Sequence, residues 1–163
     1  MTRSRIRALG EAVGLIAVVA SLVFVGIEIR QNAEATRAAT VQGLGDAWRE
    51  WNLTMADPAL WEPAARMSRL EDLSDASYED ASAALSLMRS LFATWANAQY
   101  QHSRGYLDEG DWQSMVRNMR MNVDGSFSES WTDLVEWAWE KNRPVYPERF
   151  QVFFDSIRAA DGE

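Results

Sequence analysis

The sequence predicts an all-α protein: a single transmembrane helix at the N-terminus that extends into a helical bundle domain of about five helices. Three observations predict it. Residues 12–27 form an apolar run in which only Ser21 is clearly polar. Every later apolar stripe recurs at three-four spacing, the signature of an amphipathic helix. No segment alternates with period two, and no hairpin turn separates apolar runs. The expected division is residues 1–30 as a membrane anchor with a short N-terminal tail, and 31–163 as the helical domain.

Composition narrows the function classes. Acids outnumber bases by 24 to 16, the net charge is -8 and the pI is near 4.7. A nucleic-acid partner is excluded, because a phosphate backbone needs a cationic face. Cys is absent, which removes disulfides, thiolate nucleophiles and Cys-based metal sites. Eight Trp imply a core built on large aromatics or a surface that meets something apolar.

The apolar run is about 24 Å long as a helix at 1.5 Å per residue, and its edges supply the rest of a ~30 Å hydrocarbon core. Arg7, Glu11, Glu28 and Arg30 then mark the membrane edges. Ten of the sixteen residues are Val, Leu, Ile or Phe, which favour insertion by about 3 to 6 kcal/mol in total. A cleaved signal peptide is a competing reading, with Arg3, Arg5 and Arg7 as its basic start and Ala33-Glu34-Ala35 as the cut site. The charged stretch IEIRQN is long for that role. A soluble core helix is a second competitor, but an all-round apolar helix needs partners on every side. Three Arg before the run against Arg30 and Arg37 after it lean toward a cytoplasmic N-terminus and an extracytoplasmic domain. Gly10, Gly14, Ala17 and Ser21 repeat at 4-3-4 spacing and open with GxxxG, a face suited to helix association in lipid.

Past Glu28 no Pro or Gly intervenes until Gly43, so the anchor helix is expected to run on. Val41, Leu44, Trp48, Trp51 and Met55 continue it as an amphipathic helix, with Gly43 and Gly45 expected to bend it and Asp46 to cap a restart. Trp48, Trp51 and Met55 form a candidate interface of the soluble part. Asp57-Pro58 starts the next helix, bearing Leu60, Trp61, Ala64 and Met67. Ser74 or Asp75 is expected to start a third, whose stripe is Tyr78, Ala81, Leu85, Met88, Phe92 and Trp95, with Gly105 as its stop. Asp108 caps a helix with Trp112, Met115, Val116 and Met119. Gly125, Ser126 and Ser128 break before one with Trp131, Leu134, Val135 and Ala138. Pro144 and Pro147 break before Phe150, Phe153, Phe154 and Ile157.

Chemistry is sparsely encoded. His102, the sole histidine, falls at the rim of the third stripe near a helix C-terminus, where a cation meets the helix dipole. An enzymatic reading requires it to meet at least two carboxylates in a concavity. Glu129, Asp133, Glu136 and Glu140 share one helical face, expected to be solvated. Asn97, Gln101 and Arg104, with Ser90 and Thr94, line the side of their helix opposite the apolar stripe and matter only if something covers them. Gly43-Leu44-Gly45 follows no strand and makes no phosphate loop. No catalytic residue, cofactor or metal is expected.

The run GE-x-x-x-x-I-A-V-V-A-S-L leading into IRQN, then ATRAAT, NAQYQ and GYLDEGDW, resembles a family of small uncharacterised bacterial membrane-anchored helical proteins. The resemblance spans nearly the whole chain, with IRQN as its most distinctive part. It implies a bacterial inner-membrane location and carries no activity, cofactor or catalytic residue. The small-residue stripe, the helix that runs on past the apolar run and the Trp-rich apolar stripes set the expected function: association, with itself or as an accessory subunit of a larger membrane complex, with membrane lipids around the anchor. The alternative is a membrane-tethered module that holds a lipid or other apolar ligand, and an enzyme is the third.

Overall fold

A computed structural model describes residues 3–160, with side chains from residue 11 onward. Among the described residues there are six α-helices and no strand: α1 (Arg3–Ala56), α2 (Pro58–Met67), α3 (Tyr78–Ser103), α4 (Glu109–Met121), α5 (Glu129–Asn142) and α6 (Glu148–Ala160). By backbone contacts the chain divides into Met1–Ala39 and Thr40–Glu163.

In the first unit, α1 contains an 18-residue window of mean hydropathy 2.5, none of whose residues is buried. It is long and apolar enough to cross a membrane. Arg30 pairs with Glu34 one turn on, Nε to Oε1 at 3.0 Å. Arg7 and Gly10 fall where side chains lie outside the described residues.

In the second unit, α1 runs through Gly43 and Gly45 as continuous helix, with no restart there. Asp46 caps no restart; it pairs with Arg49 at 3.1 Å. Two helical glycines cost about 1 kcal/mol each relative to Ala. Burial of Leu44 and partial burial of Trp48, Trp51 and Met55 against the core exceed that cost. The helix stops where Pro58 forces Asp57 into an extended conformation, and the Asp57 carboxylate then accepts from Ala59 N at 2.9 Å to cap α2.

Ser74 and Asp75 do not start α3. They lie in a short 3-10 turn, Leu73–Asp75, capped by Asp72, and Ser77 caps α3 by accepting from Asp80 N at 3.1 Å. Tyr78 consequently sits in the first turn and is 89 % exposed, outside the core it was expected to join. The buried stripe of α3 is Ala84, Leu87, Met88, Leu91, Phe92, Trp95 and Ala98, wide enough to pack on α2, α4 and α5. Gly105, at φ +72°, ends it in a left-handed conformation that L side chains rarely adopt. Asp108 caps α4 as expected, Ser128 of the expected break caps α5, and the four apolar positions expected on each are buried. Arg143–Val145 forms a 3-10 turn before α6, whose Phe150, Phe154 and Ile157 are buried.

The core centres on Phe92 and Trp139, whose rings meet edge-on at 5.2 Å, with Phe154 4.7 Å from Trp139 and 5.7 Å from Phe92. The indole N–H of Trp139 donates to Asp155 at 2.8 Å. Arg143 holds that same carboxylate at 2.8 Å. Arg158 reaches across from α6 to Glu136 and, at 3.0 Å, to Glu140. The acidic face of α5 is thus half neutralised by α6 rather than wholly solvated.

Candidate functional site

Two clefts in the second unit lie along α1 residues 41–55. On one side of Trp48 is an open cleft of about 310 Å³ lined by Val41, Leu44, Leu107, Asp111 and Met115, among others. On the other is a cleft of about 380 Å³ walled by Trp48, Trp51, Met55, Trp61, Phe127 and Trp131, with Asn52, Asn118 and Asn122 as its polar groups. The two share Trp48 and Asn118. Such volumes match the lower range of small-molecule sites, which are mostly apolar with a few placed polar groups.

Local sequence explains why the aromatics gather here. Trp48, Trp51 and Met55 lie on one face of α1 through 3-4 spacing. Trp61 follows from α2 and rests against Trp131 of α5, ring centroids 5.8 Å apart. Trp48 Nε1 donates to Met115 Sδ at 3.3 Å, which ties α1 to α4. The three residues expected to form an interface are therefore half-buried on this domain's own core and present their remaining surface to the clefts.

The polar groups are arranged around indoles. An indole N–H is only a donor, so whatever meets it must be an acceptor. Trp95 donates to Asn118 Oδ1 at 3.1 Å, and Trp131 to Asn122 Oδ1 at 3.0 Å. Asn122 Nδ2 is spent on the Asn118 carbonyl at 2.8 Å. Asn52, Trp61, Asn118, Asn122, Phe127 and Trp131 were not assigned to a site by the sequence reading. One signal did exist: buried indoles need acceptors, and Asn118 and Asn122 continue the α4 stripe through Met115 and Met119.

His102 stacks on Trp112, centroids 4.6 Å apart at 7°, with Nε2 3.2 Å from Glu109 Oε2. Hydrogen bonds from Gln113 and His102 hold the Glu109 carboxyl below its ordinary range. One carboxylate, not two, meets this histidine among the described residues, and no cluster there of three metal-ligating side chains is formed. Burial pushes the Asp155 carboxyl up, and its bonds to Arg143 and Trp139 outweigh that and leave it below normal. Desolvation pushes the Tyr146 phenol up to about 12. These groups brace the fold, and nothing in their placement indicates catalysis.

Ser90 and Thr94 are partly covered after all: with Ala47, Glu50, Trp51 and Thr54 they line a shallow depression beside α1. Their hydroxyls donate to the carbonyls of Leu87 and Ser90 in their own helix. Asn97 accepts from Gln101 at 3.3 Å.

No family model matches the chain, and no curated protein or solved structure matches it either. Its function is read from its own residues.

Proposed function

We propose that this chain is a single-pass protein of the bacterial inner membrane that acts by association, with itself or as a subunit of a larger membrane assembly. The observation that carries the reading is an apolar helical segment with no buried residue in its most hydrophobic window. Val13, Leu15, Ile16, Leu22 and Phe24 are each more than half exposed, and water is a costly neighbour for so continuous an apolar surface. Glu11, Glu28 and Arg30 border the segment, as charges at headgroup depth do. The Arg distribution supports a cytoplasmic N-terminus and an extracytoplasmic domain. The likeness of IRQN and its flanks to bacterial membrane-anchored proteins points the same way.

Gly14, Ala17 and Ser21 supply the face for a second helix. A Cβ at Gly14 meets nothing within 4 Å, so Gly14→Leu leaves the single chain undisturbed and reads association alone. Extracted in a mild detergent, the protein is expected to run larger than a monomer, and Gly14→Leu to reduce that mass. A monodisperse monomer with no accompanying chain and no response to Gly14→Leu overturns the association reading.

A second reading is favoured by a separate observation, the aromatic cleft beside Trp48. In it, the domain is a membrane-tethered module that holds an apolar ligand between α1, α4 and α5. Native mass spectrometry of the detergent-released protein tests it through co-purifying small molecules.

A further inference from the structure

The chemistry of the cleft lining selects its ligand further than apolarity alone. None of the ten residues around the larger cleft is charged, in a chain of net charge -8. A charged ligand there gives up hydration and finds no counter-charge in return. Three acceptors of the lining are already used, Asn118 Oδ1 by Trp95, Asn122 Oδ1 by Trp131, and the Asn118 carbonyl by Asn122 Nδ2, and the one amide oxygen left over belongs to the exposed Asn52. The donors are not. With its oxygen fixed by the Trp95 indole, Asn118 keeps both Nδ2 hydrogens, and no described side chain or carbonyl takes them. The indole N–H groups of Trp51 and Trp61 are likewise without a protein acceptor among the described residues, as are those of Trp112 and Trp137 outside this cleft, whereas Trp48, Trp95, Trp131 and Trp139 each have one.

We infer that this cleft binds an uncharged apolar molecule bearing a carbonyl oxygen, which accepts from Asn118 Nδ2 and the Trp51 or Trp61 indole while its body lies on the Trp faces. The inference rests on the apolar-ligand reading of this cleft and adds the charge state and the polar group to it. Two sources supply the same chemistry, the ester of a neutral acylglycerol and the ring of a quinone.

The test uses the full chain in mild detergent and native mass spectrometry with three probes at pH 8: monoolein, decylubiquinone and oleate. Monoolein and oleate share one acyl chain and differ in charge. At least one neutral probe is expected to bind one per chain, with oleate at least tenfold weaker. Binding of monoolein alone identifies an ester, of decylubiquinone alone a quinone, and of both the shared carbonyl. Asn118→Asp keeps the acceptor for Trp95 but replaces the donor by an anion, and is expected to weaken the neutral probe at least tenfold. The double change Trp51→Phe with Trp61→Phe keeps aromatic rings and removes both free N–H groups, and is expected to cost about fivefold, the worth of one hydrogen bond. It carries the test if Asn118→Asp fails to fold. Oleate binding as tightly as monoolein, or neutral binding unchanged in both variants, overturns the carbonyl inference and leaves the apolar-ligand reading standing. If no probe binds, both fall.

Discussion

Placing two arginines in the middle of the apolar segment separates a membrane anchor from every soluble alternative. Val19 and Val23 lie near its centre, one helical turn apart, and are 52 % and 57 % exposed. Removing them takes away roughly 1 kcal/mol of the ~3 to 6 kcal/mol that the ten large apolar residues contribute to insertion. Two arginines at that depth add about 5 to 7 kcal/mol against it. The balance moves from favourable to roughly zero or several kcal/mol unfavourable, so Val19→Arg with Val23→Arg is expected to lose its place in the membrane. The assay is alkaline carbonate extraction: the unaltered chain stays with the pellet and the double variant moves to the supernatant. Because these exposed side chains belong to the first unit, the helical domain of the released variant should melt where the parent's does. Two results refute the reasoning. A double variant that still resists carbonate does not owe its retention to this segment. A domain that unfolds when these two valines are replaced was using the segment as a core helix.

The aromatic core and Tyr146 give two further predictions. Phe92 is fully buried, with Trp95, Trp139, Tyr146 and Phe154 as ring neighbours between 5.2 and 6.2 Å. Phe92→Ala is expected to cost about 4 kcal/mol, which at about 2.1 cal/mol/K per residue lowers the Tm of the second unit by about 15 °C. Calorimetry checks it, and a loss under ~1 kcal/mol contradicts the packing described. The Tyr146 phenol donates to the Arg89 carbonyl at 2.9 Å and ionises only near 12. The unfolded phenol ionises near 10, so stability is unaffected below that pH and falls between about 10 and 12 as only the unfolded state releases its proton. Absorbance at 295 nm should show a late tyrosine step that Tyr146→Phe removes, and the alkaline loss of urea resistance should shrink with it.

The chain shows which signals are local. Asp57 and Asp108 were readable as caps because a cap is made within three residues of itself, and Gly105 as a stop because its left-handed φ belongs to one residue. Ser74 and Asp75 misled for the same reason: an acidic, serine-rich stretch offers several caps, and the 3-10 turn that Asp72 closes used up the first. Tyr78 continued the period of its helix yet lay one turn before the bundle begins. The apolar stripe told which face of α3 is buried, but not where along the helix its neighbours stop.

By itself, then, the sequence determined the all-α class, the helix boundaries set by Pro, Gly and side-chain caps, and an N-terminal segment apolar enough to cross a membrane. Periodicity and capping are properties of adjacent residues, so they survive in one dimension. Only the tertiary structure decided that α1 continues past its glycines, that Glu136 and Glu140 face Arg158, and that Asn118 and Asn122 serve the indoles of Trp95 and Trp131. The aromatic cleft belongs to that second group. It exists because large side chains from four helices meet at one seam without filling it, and such a gap depends on the distances between helices rather than on the order of residues within any of them.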